Sequence, residues 1–301
     1  MSPTYTKVPK TISALKGVFG LYGRHKDRIA RDLPSLVAET RDAMAKMTEM
    51  YGAELRGLKV LEVGPGPFLT HSYVLGQHND VTAMDIEVIP LGFAPLEYLK
   101  MLRKDGAVRT AKTVARKGLG IDREYRRQLS VVLGGALPKV RVIQGNAMKS
   151  GLASSSFSVI YCRALFQHVA SPEEAVRELT RLMTPGGILY ISLHLYTSFN
   201  GSLDPRVAYG VGDESLHWAH LRPKLRESVQ SESTLNRLPL AAWLEIFTRC
   251  CPGFTRVIHD STRPGIREVA ERLLSSGEIE GYTKEELCAH TLDIYWKKPV
   301  N

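Results

Sequence analysis

The chain has no apolar run approaching the ~20 residues that a membrane-crossing helix needs. Its opening, MSPTYTKVPKTISALKGVFG, has none of the continuous apolar stretch that signal peptides carry. Cysteine is scarce. The four thiols, Cys162, Cys250, Cys251 and Cys288, have no metal-ligand spacing, and the adjacent pair Cys250 and Cys251 makes a poor disulfide. Internal repeats and low-complexity tracts are also missing. These absences argue against a secreted, integral-membrane or disulfide-built protein and set a reducing cytoplasm as the expected location.

What is present describes a globular chain. With 301 residues, 44% hydrophobic and 24% charged, it is long enough to bury a core without a metal or disulfide staple. The net charge of +9 is concentrated in one place. Residues 91–141 hold 12 Lys and Arg against 4 Asp and Glu, which is eight of the nine net charges. An acidic partner is expected there.

Periodicity separates a helical segment at 1–57, centred on 27–51 with a break expected near Pro34, from an α/β domain over 58–301. Short β-branched runs predict strands at 58–64, 81–86, 140–145, 157–162, 188–193, 254–260 and 290–298. Helices are predicted at 172–183, 240–250 and 268–274, with the TPGG of 184–187 stopping the first of them. Strands alternating with helices mean a mostly parallel, doubly wound sheet. Two connections exceed what such a fold needs. Residues 87–139 fit three helices, 95–104, 107–118 and 122–134, and residues 194–239 form a polar, aromatic segment suited to a lid. Both leave the carboxyl ends of strands, where open α/β sheets bind ligands.

The run VLEVGPGPF (60–68) places Glu62 at a strand end, followed by Gly64 and Gly66, with Pro67 suited to opening a helix. A tight turn alone would use the same glycines. A dinucleotide fingerprint would need glycine where this chain has Leu69, which disfavours NAD or FAD. Asp85 closes the second strand, where a carboxylate can take both hydroxyls of a ribose. GNA (145–147) follows the third strand and YCRALFQHV (161–169) closes the fourth, with LTRLMTPGGILYIS (179–192) as a helix–turn–strand unit.

In this order and spacing the chain resembles the class I S-adenosylmethionine-dependent methyltransferases, in the small-molecule and glycan branch of the type 11 kind. The resemblance implies a Rossmann-like seven-stranded sheet of order 3-2-1-4-5-7-6. It implies S-adenosylmethionine as cofactor, with S-adenosylhomocysteine as product. Glu62, Gly64 and Gly66 would surround the methionine part, and Asp85 would hold the ribose, with Ile86 beside the adenine. Asn146 and Ala147 would bound the adenine ring, and Cys162 and Arg163 would line the methionine end. The chain departs from the family at Phe68, where a third glycine is common, at Asn146, where aspartate is frequent, and at Gln167-His168, in place of Glu-His.

A hydroxyl acceptor needs a base, and His168, His194, His217 and His220 are the candidates, His194 being the best placed. Tyr196, Trp218 and Arg222 are candidate acceptor contacts, joined by Arg109 and Arg116 of the basic insertion. Asp204, Asp213 and the histidines show no tight metal spacing, so no metal is expected. The basic insertion has four readings: a solvated helix face, recognition of a carboxylate- or phosphate-bearing sugar or metabolite, an RNA or DNA contact, and a peripheral contact with an anionic membrane. Nucleic acid is disfavoured, since YCRA replaces the Asn/Asp-Pro-Pro-aromatic motif of amino-group methylases and there is no appended RNA-binding module. Expected is O-methylation of an acidic small molecule or glycan. RNA methylation is the alternative, followed by a non-catalytic cofactor-binding scaffold.

Overall fold

The computed structural model describes residues 13–300 apart from 93, 209–213 and 232, with side chains from Asp32 onward. The chain divides into two compact units. A nucleotide unit runs through the first helix to Arg163 and takes in Glu174–Tyr190 and the residues after Trp296; a second unit holds Ala164–Glu173 and Ile191–Trp296.

The nucleotide unit opens with helix α1 (Ser13–Tyr51), which falls in the same unit as the strands that follow it. Pro34 does not break it. The proline ring lies on the exposed side, where water can take the carbonyl it leaves unpaired, while Leu33, Val37, Thr40, Ala43 and Met47 anchor the other side. Leu36, Met44 and Met50 sit beside that stripe, half-buried. Strand β1 (Lys59–Val63), helix α2 (Thr70–Leu75) and strand β2 (Asp80–Asp85) come next. The long connection then forms α3 (Pro95–Asp105), α4 (Ala107–Gly118) and α5 (Ile121–Leu133), within a residue or two of the expected bounds. Strands β3 (Arg141–Gln144) and β4 (Phe157–Arg163) follow, then helix α6 (Pro172–Leu182).

The insertion is packed rather than loose. Ile121, Tyr125, Leu129 and Leu133 repeat every fourth residue along α5 and enter one core with Leu33, Val37, Leu69, Tyr73 and Val74. Asp105 at the end of α3 accepts a hydrogen bond from the Val88 N–H at 2.9 Å, which ties α3 back to the chain leaving β2.

Helix α6 ends at Leu182, just before TPGG, and strand β5 (Met183–His194) starts directly after it, with TPGG inside the strand's bounds. Gly186 adopts a φ of 75°, and its N–H donates to the Lys298 carbonyl at 2.9 Å, while the Lys298 N–H returns to Gly187 at 2.9 Å. The second unit adds α7 (Pro205–Ala208), α8 (Leu240–Cys250), β6 (Thr255–Asp260), α9 (Ile266–Ser275), the short α10 (Lys284–Cys288), for which no helix is expected from the sequence, and β7 (Ala289–Lys297). The seven strands form one sheet of order β3-β2-β1-β4-β5-β7-β6. The pairs β1–β2, β1–β4 and β2–β3 are parallel and β6–β7 is antiparallel. Among the described residues no helix is long and apolar enough to cross a membrane.

Candidate functional site

β1 delivers Glu62 into the interior, 1% exposed, where it shares a hydrogen bond with the Ser72 hydroxyl. Burial pushes its pKa up to about 8, and the Asp85 carboxylate adds to the rise. Directly after β1, Gly64 and Gly66 both take left-handed conformations, φ 73° and 66°, and the Gly64 N–H donates to the Met84 carbonyl at 2.9 Å. Only glycine adopts such angles freely, so the turn doubles back on itself at the sheet edge. Helix α2 opens at Thr70, after a left-handed Leu69, and so three residues beyond Pro67.

Asp85 closes β2 beside this turn. Its carboxylate accepts from the Gly66 N–H, and its Oδ1 accepts from the Glu87 N–H at 3.0 Å. Burial nevertheless raises its pKa to about 6. The next residue, Ile86, leaves 61% of its surface exposed, an apolar face set next to a half-buried carboxylate. Its backbone is held by Gln144 Nε2, which donates to the Ile86 carbonyl at 3.0 Å. Asn146 Oδ1 accepts from the Met148 N–H at 2.9 Å, and Ala147 follows it within that turn.

At the end of β4 the two expected residues part ways. The Cys162 side chain is fully buried, and burial raises its thiol pKa well above the ordinary value, so it packs inward rather than lining a cleft. Arg163 is ion-paired with Glu39 of α1. At the next residue of α1, the Thr40 hydroxyl donates to the Leu36 carbonyl and lies 2.7 Å from His71 Nδ1. With the hydroxyl proton committed, the imidazole must carry its proton on Nδ1, leaving Nε2 bare. Burial and the Arg163 charge push the His71 pKa down to about 3. Glu39, Thr40 and His71 belong to no recognisable motif. Only the packing of α1 brings them to this edge.

The insertion contacts the glycine turn through Phe68. Its ring stacks on Tyr125 at 4.3 Å and 17°, and the Arg116 guanidinium lies 5.2 Å over it. Tyr125 also bonds Thr70 Oγ1 at 2.5 Å. The departure from glycine at Phe68 therefore joins the first loop to α4 and α5. Arg116 is occupied by Asp122, Nε to Oδ1 at 2.6 Å, a contact that competes with an acceptor anion. Arg109 pairs with Glu87 and sits in the field of Asp85, and its Nε is buried with no partner. The inward face of α4 is polar: Arg109, Thr113 and Arg116 turn in, while Val108 and Val114 are exposed.

The candidate histidines lie in the second unit. His194 is partly buried, with Nε2 3.2 Å from the Asn200 carbonyl, and burial with the neighbouring His290 brings its pKa down to about 4. A carbonyl partner requires the proton on Nε2, so that atom cannot act as a base. His220 is bound in the same way, Nε2 to the Tyr196 carbonyl at 2.7 Å, with burial lowering its pKa to about 4. His217 is buried against Phe199 at 5.3 Å. His168 is the least buried of the four. Its Nδ1 lies 2.9 Å from the Thr234 carbonyl, which puts the proton there and makes Nε2 the acceptor of the Gln167 side-chain amide at 3.4 Å.

The described part of 194–239 is not an open lid. Trp218 is wholly buried in a core with Ile266, Ala270 and Leu287, its Nε1 donating to the Thr197 carbonyl at 3.0 Å, so direct contact with an acceptor is blocked. Arg222 is held by Glu278, Nε to Oε2 at 3.0 Å, and by the Ser215 carbonyl at 2.6 Å, which makes it a packing contact. Tyr196 is half-buried on the His220 ring at 4.8 Å. Asp204 is paired with Arg206 at 2.7 Å, and Asp213 lies outside the described residues. Among the described residues no three His, Cys, Asp or Glu side chains are placed to hold a metal ion.

Residues 98–191 match a family described as a methyltransferase domain. The ubiquinone biosynthesis O-methyltransferase of Pseudomonas entomophila strain L48 is 25% identical over 138 residues, 46% of this chain and 45% of that protein. The same enzyme of Pseudomonas putida strain GB-1 is 25% identical over 140 residues, 46% of each. The match thus spans about half the length of these curated relatives. Among solved structures, phosphoethanolamine N-methyltransferase 2 of Haemonchus contortus with S-adenosyl-L-methionine superposes at a TM-score of 0.44 with 15% identity, covering 86% of this chain and 52% of that one. A sarcosine dimethylglycine methyltransferase, so assigned in Galdieria sulphuraria, gives 0.42 and 14%, covering 87% and 86%. The strand order and the match over residues 98–191 support a class I S-adenosylmethionine-dependent methyltransferase. The half-buried Asp85 carboxylate, an open Gly66 with nothing within 4 Å of an added Cβ, and an exposed Ile86 all fit the adenosine of S-adenosylmethionine.

Proposed function

We propose that the chain transfers a methyl group from S-adenosylmethionine to a hydroxyl of a small acceptor carrying a carboxylate or phosphate, such as an acidic sugar or metabolite. The observation that carries this reading is the adenosine cradle: Asp85 fixed by the Gly66 N–H beside an exposed Ile86. When bound, the cofactor supplies an electrophilic methyl. The chain has then to align the acceptor, exclude water and take a proton. Arg109, with an unpartnered Nε next to Asp85 and Glu87, is the residue we assign to an acceptor anion. A hydroxyl as the methylated group takes support from the relatives named O-methyltransferases.

The test has two parts. Calorimetry with Asp85→Ala should show cofactor affinity falling roughly ten- to a hundredfold, as for the loss of a charge-assisted hydrogen bond. Equal affinity in a folded variant would remove the cradle assignment. A labelled-methyl assay against acidic metabolites and sugars, read by mass spectrometry, should identify the acceptor. With that acceptor, Arg109→Ala should lose turnover with a shallow salt dependence. Small, equal losses at Arg109, Arg116, Arg123 and Arg127 with a steep salt slope would instead favour RNA.

A further inference from the structure

Ten large hydrophobic side chains are exposed among the described residues, and six of them, Leu91, Leu96, Leu99, Leu102, Val108 and Val114, fall in one stretch at the start of the insertion. The same stretch lies within the segment that holds nearly all the net charge. The bounds of α3 and α4 bring out a common pattern at an offset of twelve residues: Leu96 with Val108, Leu99 with Ala111, Lys100 with Lys112, Met101 with Thr113, Leu102 with Val114, Lys104 with Arg116. At 100° per residue, positions three and six after the first lie on one exposed arc, and the fourth and eighth lie on the arc beside it. Met101 and Thr113, on the opposite side, are the buried residues of their helices. Each helix thus turns an apolar arc outward with a basic arc at its flank.

Burial elsewhere in the fold explains why the apolar side is outward. Asp105 anchors α3 through the Val88 N–H, and Arg109 and Arg116 anchor α4 through Glu87, Asp122 and Phe68. The polar residues take the inward contacts that Val108 and Val114 would normally have, so these remain facing water. Exposed apolar surface of this kind marks a contact site. Its occupant follows from charge. α3 and α4 carry seven Lys and Arg and only two carboxylates, Glu97 and Asp105, both half-buried. A second copy of this surface would be repelled, and a nucleic acid would have no use for the leucines.

We propose that α3 and α4 dock the protein on an anionic lipid bilayer, with the Leu96, Leu99, Leu102, Val108 and Val114 side chains entering the acyl boundary and Lys100, Arg103, Lys104 and Lys112 meeting the head groups. Helices of eleven and twelve residues are too short to span and of a length to lie in the interface. The protein would then work at a membrane surface without a membrane-crossing segment in its described residues.

Flotation of the full chain with vesicles tests this. The chain should float with vesicles of phosphatidylcholine and one third phosphatidylglycerol and stay behind with phosphatidylcholine alone. Leu96→Ser/Leu99→Ser/Leu102→Ser should weaken partitioning about tenfold or more. Each Lys→Gln change at Lys100, Lys104 and Lys112 should cost roughly fivefold. Unchanged melting of the variants guards against misfolding, and if the triple variant fails to fold, Leu96→Ser alone serves, since Leu96 is 80% exposed. No flotation with anionic vesicles overturns the proposal. So does binding indifferent to the leucines, or tighter capture by a single-stranded RNA that displaces the vesicles.

Discussion

Asp85 and Glu62 are both carboxylates held above the ordinary range mainly by burial, and the two rises predict different things. Asp85 titrates near 6 before the cofactor binds. Its charged form accepts two ribose hydroxyls better than its neutral form, so cofactor affinity should climb with pH through about 6 and level off above it. Calorimetry from pH 5 to 8 checks this, and Asp85→Asn should be flat over the same range. A retained slope in that variant would assign the titration to another group. Glu62, at about 8, acts on stability instead. The folded chain keeps a proton that the unfolded chain releases above its ordinary value of 4.5, so this contribution is full below 4.5 and is lost as pH rises through 8. Melting temperature should therefore fall between pH 6 and 8, above the Asp85 window, and Glu62→Gln should fall less. Equal slopes in the two proteins would show that Glu62 is not the group responsible.

The elements around the site differ in how readable they are from sequence, for physical reasons. Strands β1 to β4 and helices α3 to α5 are bounded by Gly and Pro and have short-range periodicity, which depends on nothing distant. The pairing of Gly186 and Gly187 with Lys298 is not readable, because that partner is more than a hundred residues away and local turn chemistry cannot reveal it. The polar inward face of α4 has the same origin, since Glu87, Phe68 and Asp122 decide it from outside the helix. Of the candidate site, the glycines are legible because their left-handed conformations demand glycine, and Asp85 and Ile86 because they stand at the end of a short strand. The histidines are not, because their burial depends on how 194–239 packs. At this scale Phe68 is the joint worth testing. Restoring the family's glycine with Phe68→Gly removes the stack on Tyr125 and the Arg116 contact, which should cost about 2–3 kcal/mol for a half-buried aromatic. Hydrogen exchange should then quicken in α4 and α5 and much less in β1 and β2. Uniform quickening across the nucleotide unit would mean that the joint holds the sheet as well.

On the scale of the whole molecule, the last residues bind helix ends within the nucleotide unit. Lys297 Nζ donates to the Met50 and Tyr51 carbonyls at 3.0 and 3.1 Å, and Lys298 Nζ to those of Thr180 and Met183 at 2.8 and 2.9 Å. A cation on the final carbonyls of a helix satisfies orphan acceptors and complements the helix dipole. Lys297→Met/Lys298→Met should lower the melting temperature by a few degrees, about 1–2 kcal/mol in all. A melting temperature equal to that of the parent chain would show that solvent serves these carbonyls as well as the lysines do.

The Gly186–Lys298 pairing also has a meaning in time. The ribosome makes α1, the glycine turn and Asp85 early, but the backbone that completes β5 within their unit is made last, after the whole of Ile191–Trp296. At bacterial or eukaryotic elongation speeds that intervening stretch of about a hundred residues takes roughly 5–20 s. Throughout that interval the nascent nucleotide unit carries an unpaired stretch of strand. Chaperones that shield exposed strand edges, rather than those that shield helices, would be its natural escorts during synthesis.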